Sequence, residues 1–469
     1  MPRVLPPKAM KHQAISLKHA DRTPIRYDTS DPGTGKTFVR AVHFAIRRRR
    51  KDSKRAKCML VIAPKSLLKC AWADDIKKFC PDMKVSIARA DNRDEAFRED
   101  ADIYITNTDA AVWLSKQKKS FFDRFDELVI DEITTFKHHT SQRSRAMAKV
   151  SKYFEYRSGL TGTPNSRSIT DVWHQALLLD GGKRLGTSFY AFRNAVCEPV
   201  QVGRSVHAVN WNDKPGAEEA VFGMLSDIVI RHKFEDCVDI PANHMYTVDW
   251  ELTPKQKSAY DRMTQDAIYI ETVAAVTSRL KGALPAAIGI NAAAVANKLL
   301  QISSGALYTA EDKFSVVDES RYEMIMDMAE QRKHTLVFFL WKHQRDLLIK
   351  HAAQRKMSYA VIDGSTTDKE RDAIVTRYQA GQIDVLFAHP RSAAHGLTLT
   401  RGTTTIWPCP TYDLELFAQG NRRQYRMGQK KKTETIVVVA KNTIEEKVYE
   451  LLLGKNERMR NLLDLFATL

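Results

Sequence analysis

The sequence predicts an α/β chain of two tandem lobes, each built on a central sheet of parallel strands. Three observations carry that expectation. Short apolar runs alternate with helical stretches over the first 180 residues. The same alternation returns after residue 334, and a polar stretch with paired glycines between 181 and 239 separates the two series. With 469 residues, the chain is long enough for two or three domains with cores of their own.

Taken in order, Pro6 and Pro7 precede a helix expected from Lys8 to about Ala20. A short strand at Ile25–Thr29 and a helix at Phe38–Arg49 follow. The first strand series continues with Cys58–Ala63, Ala101–Thr106 and Asp126–Ile130, with helices over Ser66–Phe79 and Asp91–Glu99. Residues 181–239 read as an inter-lobe connector ending near Ile240-Pro241, which divides the chain into 1–240 and 241–469. The stretch 253–307 reads as mainly helical, interrupted at Leu284-Pro285 and Gly289. The second series is His334–Phe339, Ser358–Ile362, Ile383–Phe387, Thr403–Trp407 and Thr433–Ala440. Within it, Thr367-x-x-Glu370 is a capping box for a helix that should stop at Gly381. A second box, Thr443-x-x-Glu446, opens the last helix, whose apolar residues at 444, 448, 451 and 452 mark a packing face.

Charge narrows the partners. Lysine plus arginine exceed aspartate plus glutamate by 73 to 56, a formal net charge of +17. Such an excess suits a polyanion, because neutralising phosphates releases counterions. The basic run from Arg47 to Lys51, with Lys54, Arg55 and Lys57 behind it, reads as the solvated C-terminal end of a helix. Six cysteines (58, 70, 80, 197, 237, 409) lack any Cys-x-x-Cys pair, which suits a reducing compartment and gives no zinc site. His138 and His139 have no companions at ligand spacing and read as solvent-facing or nucleic-acid-side residues. No run of eighteen apolar residues and no secretory signal is present, so no membrane span is expected and a cytoplasmic location is. That means the cytoplasm of a bacterium or, for a viral protein, of its host, with a nuclear location left open. A monomer is expected.

The chemistry begins at Asp31-Pro-Gly-Thr-Gly-Lys-Thr37, between a strand and a helix. Gly33, Thr34 and Gly35 let backbone N–H groups close on a polyphosphate. Lys36 can reach the β- and γ-phosphates, and the Thr37 hydroxyl can hold magnesium. The strict pattern wants a glycine where Ser30 stands. Some ninety residues on, Val129-Ile-Asp-Glu132 ends a buried strand with two carboxylates. Asp131 there can hold Mg2+ through water, and Glu132 can polarise the attacking water. Arg157-Ser-Gly-Leu-Thr-Gly-Thr-Pro164 follows another strand. In the second lobe Gln419 to Gln429 is dense in arginines, and Arg423 and Arg426, spaced i and i+3 on a helical turn, can share a face and stabilise charge on a γ-phosphate.

Together these blocks resemble the Swi/Snf family of DNA-translocating ATPases in the second helicase superfamily, from about Pro6 to Lys455. Its adenine-contacting glutamine matches Gln13, and its phosphate loop matches Asp31–Thr37 with Pro32 and Thr34 substituted. Val61-Ile-Ala-Pro-Lys-Ser66 with Trp72, and Asp102–Thr106, resemble motifs that touch the nucleic-acid backbone. Leu128–Lys137 resembles the magnesium motif, with Thr134 where the family has histidine, and Leu160–Pro164 its coupling motif. Further matches are Ile362-Asp-Gly-Ser-Thr366, Ala394–Leu399, Thr443–Glu446 and the arginine motif at Gln419, Arg423, Arg426, Gly428 and Gln429. Arg422 stands where the family has an acidic residue.

The resemblance implies two RecA-like lobes of the P-loop NTPase fold, with ATP and Mg2+ between them and double-stranded DNA as partner. Lys36, Asp131, Glu132, Arg423 and Arg426 are the expected catalytic residues. Gln13 and residues 33–37 are expected on nucleotide, and Lys65, Ser66, Thr106 and Gly364 on nucleic acid. The expected activity is ATP-driven movement along duplex DNA. The alternatives are a strand-separating helicase on DNA or, less favoured, RNA, and a DNA-binding scaffold whose ATPase has decayed. The pathway served is not legible in the sequence.

Overall fold

A computed structural model describes residues 9–50, 56–166, 168–201, 209–265, 286–308, 313–393 and 397–467. The chain divides into two compact units. One gathers the chain up to residue 198, the segment 212–239 and the last turns from 456; the other gathers 199–211 and 240–455.

The first unit is built on seven strands: β1 (Ile25–Asp28), β2 (Cys58–Ala63), β3 (Val85–Ala88), β4 (Ile103–Asn107), β5 (Phe125–Asp131), β6 (Tyr156–Leu160) and, in the sheet though later in the chain, β9 (Val229–Ile230). Their spatial order is β3-β4-β2-β5-β6-β1-β9, and every pairing is parallel. Val61, Ile62, Ile105 and Val129 are fully or almost fully buried, as a sheet covered on both faces demands. The helix Lys36–Arg48 packs Phe38, Val42 and Phe44 onto this core with Trp72 and Ile76. A separate two-stranded sheet is formed by β7 (Cys197–Gln201) and β8 (Val209–Asp213).

The second unit's sheet contains β10 (Asn243–Trp250), β13 (Thr335–Phe338), β14 (Tyr359–Ile362), β15 (Val385–Ala388), β16 (Thr404–Trp407) and β17 (Thr433–Ala440), in the order β10-β17-β16-β13-β15-β14. All five pairings are parallel. A small antiparallel pair, β11 (Ala306–Tyr308) with β12 (Phe314–Val316), stands apart. Arg321 and Glu445, both buried, form a bidentate pair at 3.0 and 3.2 Å, and Glu445 also accepts from the Ala440 N–H at 2.7 Å. These bonds pin the start of the last helix to the end of β17.

Several expectations change. The segment 181–239 is not a plain connector: it folds into helices Phe189–Val196 and Ala217–Leu225 and then supplies β9, the edge strand beside β1. Residues 65–79 are a 3-10 turn, a π-helical turn (Leu68–Ala73) and a short α-helix, not one helix. The Arg47 end of its helix is only partly solvated, Arg49 being exposed and Arg50 half-buried. Arg47 is buried, bonding Glu127 at 2.6 Å and Asp126 at 2.7 Å, while Arg48 pairs with Asp102 and Arg49 with Asp82. Helix Ala286–Ser303 runs through Gly289, and Leu451 is exposed while Val448 and Leu452 are buried. The Thr367 box forms as expected. At the last helix, Glu446 caps the Asn442 N–H and Thr443 bonds the Ala440 carbonyl. Leu284-Pro285, Lys54, Arg55 and Ala394–Gly396 lie outside the described residues. No described helix is long and apolar enough to cross a membrane.

Candidate nucleotide site

Parallel pairing brings the motifs of the first unit together. In register, Asp28 of β1 and Asp131 of β5 both stand opposite Leu160, because β6 lies between those strands. The phosphate loop, the Leu-Thr-Gly-Thr-Pro loop and the Asp131-Glu132 corner therefore leave the sheet side by side at its carboxyl edge. This is where open α/β sheets present their ligand crevices. The loops touch there: the Thr161 N–H bonds the Asp28 carbonyl at 3.0 Å, and a Cβ on Gly162 would sit 2.8 Å from Pro32 Cδ.

Gly33 and Gly35 carry φ of +90° and +84°, so the loop turns through the left-handed region before the helix begins at Lys36. Lys36 Nζ curls back onto the Ser30 carbonyl at 2.6 Å and the Asp31 carbonyl at 3.3 Å. The ammonium thus rests inside the loop's own curve. Gln13 is buried, donating to the Thr34 carbonyl at 3.4 Å and accepting from the Met10 N–H at 3.0 Å; His12 meets the same Thr34 carbonyl at 2.8 Å. The helix carrying Gln13 thereby supports the loop from outside. Thr37 occupies the first helical turn with Lys36.

Asp131 is buried, and burial pushes its carboxyl up from the ordinary range. The Trp72 N–H, the Lys36 charge and the Glu132 N–H pull the other way. Trp72, fully buried on the π-helical turn, donates from Nε1 to Asp131 Oδ2 at 2.8 Å. The Glu132 N–H reaches Oδ1 at 3.1 Å. Glu132 holds φ of +49°, uncommon for a residue with a side chain, at the corner between β5 and a 3-10 turn. Thr134 is buried. Lys137 links this corner to the chain just beyond the Leu-Thr-Gly-Thr-Pro loop, donating to Ser166 Oγ at 2.8 Å and lying 3.7 Å from Asp171. His138 is exposed, and His139 stacks on Phe189 with ring centroids 4.1 Å apart.

Of the residues expected on nucleic acid, Lys65 is exposed and Ser66 half-buried at the head of the 3-10 turn, and Gly364 is exposed after β14. Thr106 does not face solvent: it is fully buried and its hydroxyl donates to the Ala88 carbonyl at 2.7 Å, tying β4 to β3.

In the second unit the arginine motif is not a helical turn. Its helix, Leu414–Asn421, ends before Arg422, and residues 422–428 form turns and bends. Arg423 and Arg426 nevertheless converge, because both reach the Leu397 carbonyl, at 3.5 and 2.6 Å. Arg423 is buried and also bonds the Gln419 carbonyl at 2.7 Å, whereas Arg426 is half-buried. Gln429 ties the turn to the Thr400 and Gly402 carbonyls. Arg422 lies over the Tyr425 ring, 5.0 Å from its centroid.

Sequence reasoning passed over the segment after β9. Arg231 donates to the Thr29 carbonyl at 2.5 Å and to Asp31 Oδ1 at 2.6 Å, and the Phe234 N–H donates to Asp31 Oδ2 at 2.9 Å. The signal available was a compact Val-Ile-Arg-His-Lys-Phe run after an apolar pair, inside a stretch otherwise too polar to read as sheet.

Comparison with known proteins gives the family. A model described as SNF2-related domain matches residues 29–300, and one described as helicase conserved C-terminal domain matches 318–428. Protein p41 of Acyrthosiphon pisum secondary endosymbiont phage 1 is 27% identical over 410 residues, 83% of this chain and 84% of that protein. The ATP-dependent helicase/translocase YwqA of Bacillus subtilis (strain 168) is 23% identical over 447 residues, 91% of this chain but 45% of its own. The ISWI chromatin-remodeling complex ATPase CHR11 of Arabidopsis thaliana is 25% identical over 410 residues, 83% of this chain and 36% of its own. The chain thus spans less than half the length of the latter two. The solved Sulfolobus solfataricus SWI2/SNF2 ATPase core in complex with dsDNA is 20% identical, covering 98% of this chain and 94% of that one at a TM-score of 0.45. The two matched domains cover most of the sequence, and the chain belongs to the SNF2-related family of helicase-like ATPases.

Proposed function

We propose that the protein hydrolyses ATP when engaged with duplex DNA and uses the cycle to move along it. The observation that carries this reading is the junction of the β1, β6 and β5 ends, where Lys36 and Asp131 are close enough for the lysine's charge to favour the carboxylate. Gly33 and Gly35 open the loop's backbone to a triphosphate, and Lys36 would exchange its two loop carbonyls for phosphate oxygens. Gln13, already against the loop, would address the base.

The residues present also fit magnesium: the Thr37 hydroxyl and the buried, hydrogen-bonded Asp131 carboxylate are hard oxygen donors suited to holding it with nucleotide phosphates. When bound, the ion neutralises charge on those phosphates. Glu132, fixed by its backbone corner, would orient the attacking water. Arg423 and Arg426 would steady charge developing on the γ-phosphate. Lys65, Ser66 and Gly364 would contact the DNA backbone, whereas buried Thr106 would not. The net charge of +17 favours such a polyanion.

The test is ATP turnover in magnesium buffer as duplex DNA is added. Stimulated hydrolysis supports the reading. No hydrolysis at saturating duplex DNA would leave the DNA-binding scaffold in its place.

A further inference from the structure

The phosphate loop is held by a part of the chain two hundred residues away. After β9, five hydrogen bonds run between residues 231–234 and residues 29–31. Three are the Arg231 and Phe234 contacts described above. The others are the Asp31 N–H to the His232 carbonyl at 3.0 Å and the His232 N–H to Ser30 Oγ at 3.1 Å. A Cβ on Gly33 would lie 3.1 Å from Phe234 Cε2, so the ring closes the outer side of the turn. His232 is fastened in turn by Ser16 Oγ at 2.9 Å, on the helix that bears Gln13. The carbonyls on which Lys36 rests, those of Ser30 and Asp31, belong to the residues this segment grips.

Charge gives the grip a chemical purpose. Asp31 puts a carboxylate into a loop shaped for a triphosphate, and an uncompensated negative charge there would repel one. The Arg231 guanidinium, its side chain only 6% exposed, meets that carboxylate at 2.6 Å. The same segment continues to residue 239, after which the chain enters the second unit.

We propose, on the reading that the loop holds ATP, that Arg231 is a positioning residue for nucleotide binding: it neutralises Asp31 and, with Phe234, fixes the Ser30–Asp31 carbonyls from which Lys36 is released to the phosphates. The loop's affinity for nucleotide is then set by the segment leading into the second unit as well as by the loop's own sequence.

The test is titration of the full-length protein with a fluorescent ATP analogue in magnesium buffer, with thermal melting alongside. Arg231→Gln removes the guanidinium charge from beside Asp31 and should weaken binding by about tenfold. Arg231→Lys, which keeps the charge but loses the fork, should fall between that variant and the wild type. The double variant Arg231→Gln with Asp31→Asn should recover most of the lost affinity, which a purely packing role would not produce. Unchanged affinity in Arg231→Gln overturns the proposal, as does a double variant no better than the single. A melting temperature lowered equally in both, with no recovery of affinity, assigns Arg231 to packing alone and overturns it too. A wild-type protein that binds no analogue would overturn the nucleotide reading and this one with it. Wild-type binding with an unmoved Arg231→Gln removes this one alone.

Discussion

Trp72 donates its indole N–H to Asp131 across 2.8 Å, joining the π-helical turn Leu68–Ala73 to the carboxylate proposed to hold magnesium. A hydrogen bond to a charged, buried acceptor contributes about 1.5–3 kcal/mol. Trp72→Phe keeps most of the packing and loses the donor. It should therefore lower DNA-stimulated kcat/KM by roughly tenfold to a hundredfold. Steady-state ATPase kinetics check this, and a rate equal to wild type would show that the bond does not orient Asp131.

Lys36→Ala and Glu132→Gln should both abolish DNA-stimulated turnover, for different reasons. The first removes the cation proposed to leave the Ser30 and Asp31 carbonyls for phosphate. The second removes the group proposed to orient water while leaving the loop intact, so it should still bind nucleotide. Turnover assays paired with nucleotide titration separate the two, and unchanged rates would take either residue out of the site.

Arg423 and Arg426 should part company in stability. Both reach the Leu397 carbonyl, but Arg423 is buried and bonded to the Gln419 carbonyl whereas Arg426 is half-buried. Arg423→Ala should lower the melting temperature as well as kcat, whereas Arg426→Ala should lower kcat with little change in melting. Equal melting temperatures would contradict the burial difference.

Three buried histidines predict acid sensitivity. Burial pushes His43 down to about 2, His174 to about 4 and His343 to about 3; arginine charges around His43 act in the same direction. Asp21, 3.4 Å from His43, is mostly exposed and does not offset this. The unfolded chain binds a proton at each near pH 6.5, whereas the folded chain does not until far lower pH. Stability is therefore full above about 6.5 and falls below it, by about 1.4 kcal/mol per pH unit for each histidine. Melting curves from pH 7.5 to 5 check the sign, and replacing His43 with leucine should flatten the slope for the first unit.

Because the DNA contacts are assigned mainly to phosphates, DNA stimulation of the ATPase should fall steeply as salt is added. A flat response between low and moderate salt would count against phosphate-dominated binding.

The sheets were legible in the sequence because their strands are mostly buried on both faces: Cys58–Ala63 is a continuous apolar run and Thr433–Ala440 is apolar or β-branched but for Glu434, and both appear at the expected residues. The strands that escaped were exposed or short. Asn243–Trp250 lies at a sheet edge with most residues at the surface, and Val229-Ile230 is only two residues long. The site was legible where backbone geometry demands particular residues, as at Gly33, Gly35 and the Asp131-Glu132 corner. The Arg231–Asp31 pair was not, since a contact across two hundred residues leaves no periodic trace. The solvated reading of Arg47 failed for a related reason: its partners, Asp126 and Glu127, arrive from β5.

Movement on duplex DNA is the central claim, and triplex displacement beside strand displacement tests it most directly. With ATP and magnesium, the protein should strip a third strand from a triplex whose duplex it enters, while leaving an ordinary duplex of similar length joined. Efficient separation of that duplex, or a triplex left intact while ATP is hydrolysed, would contradict it.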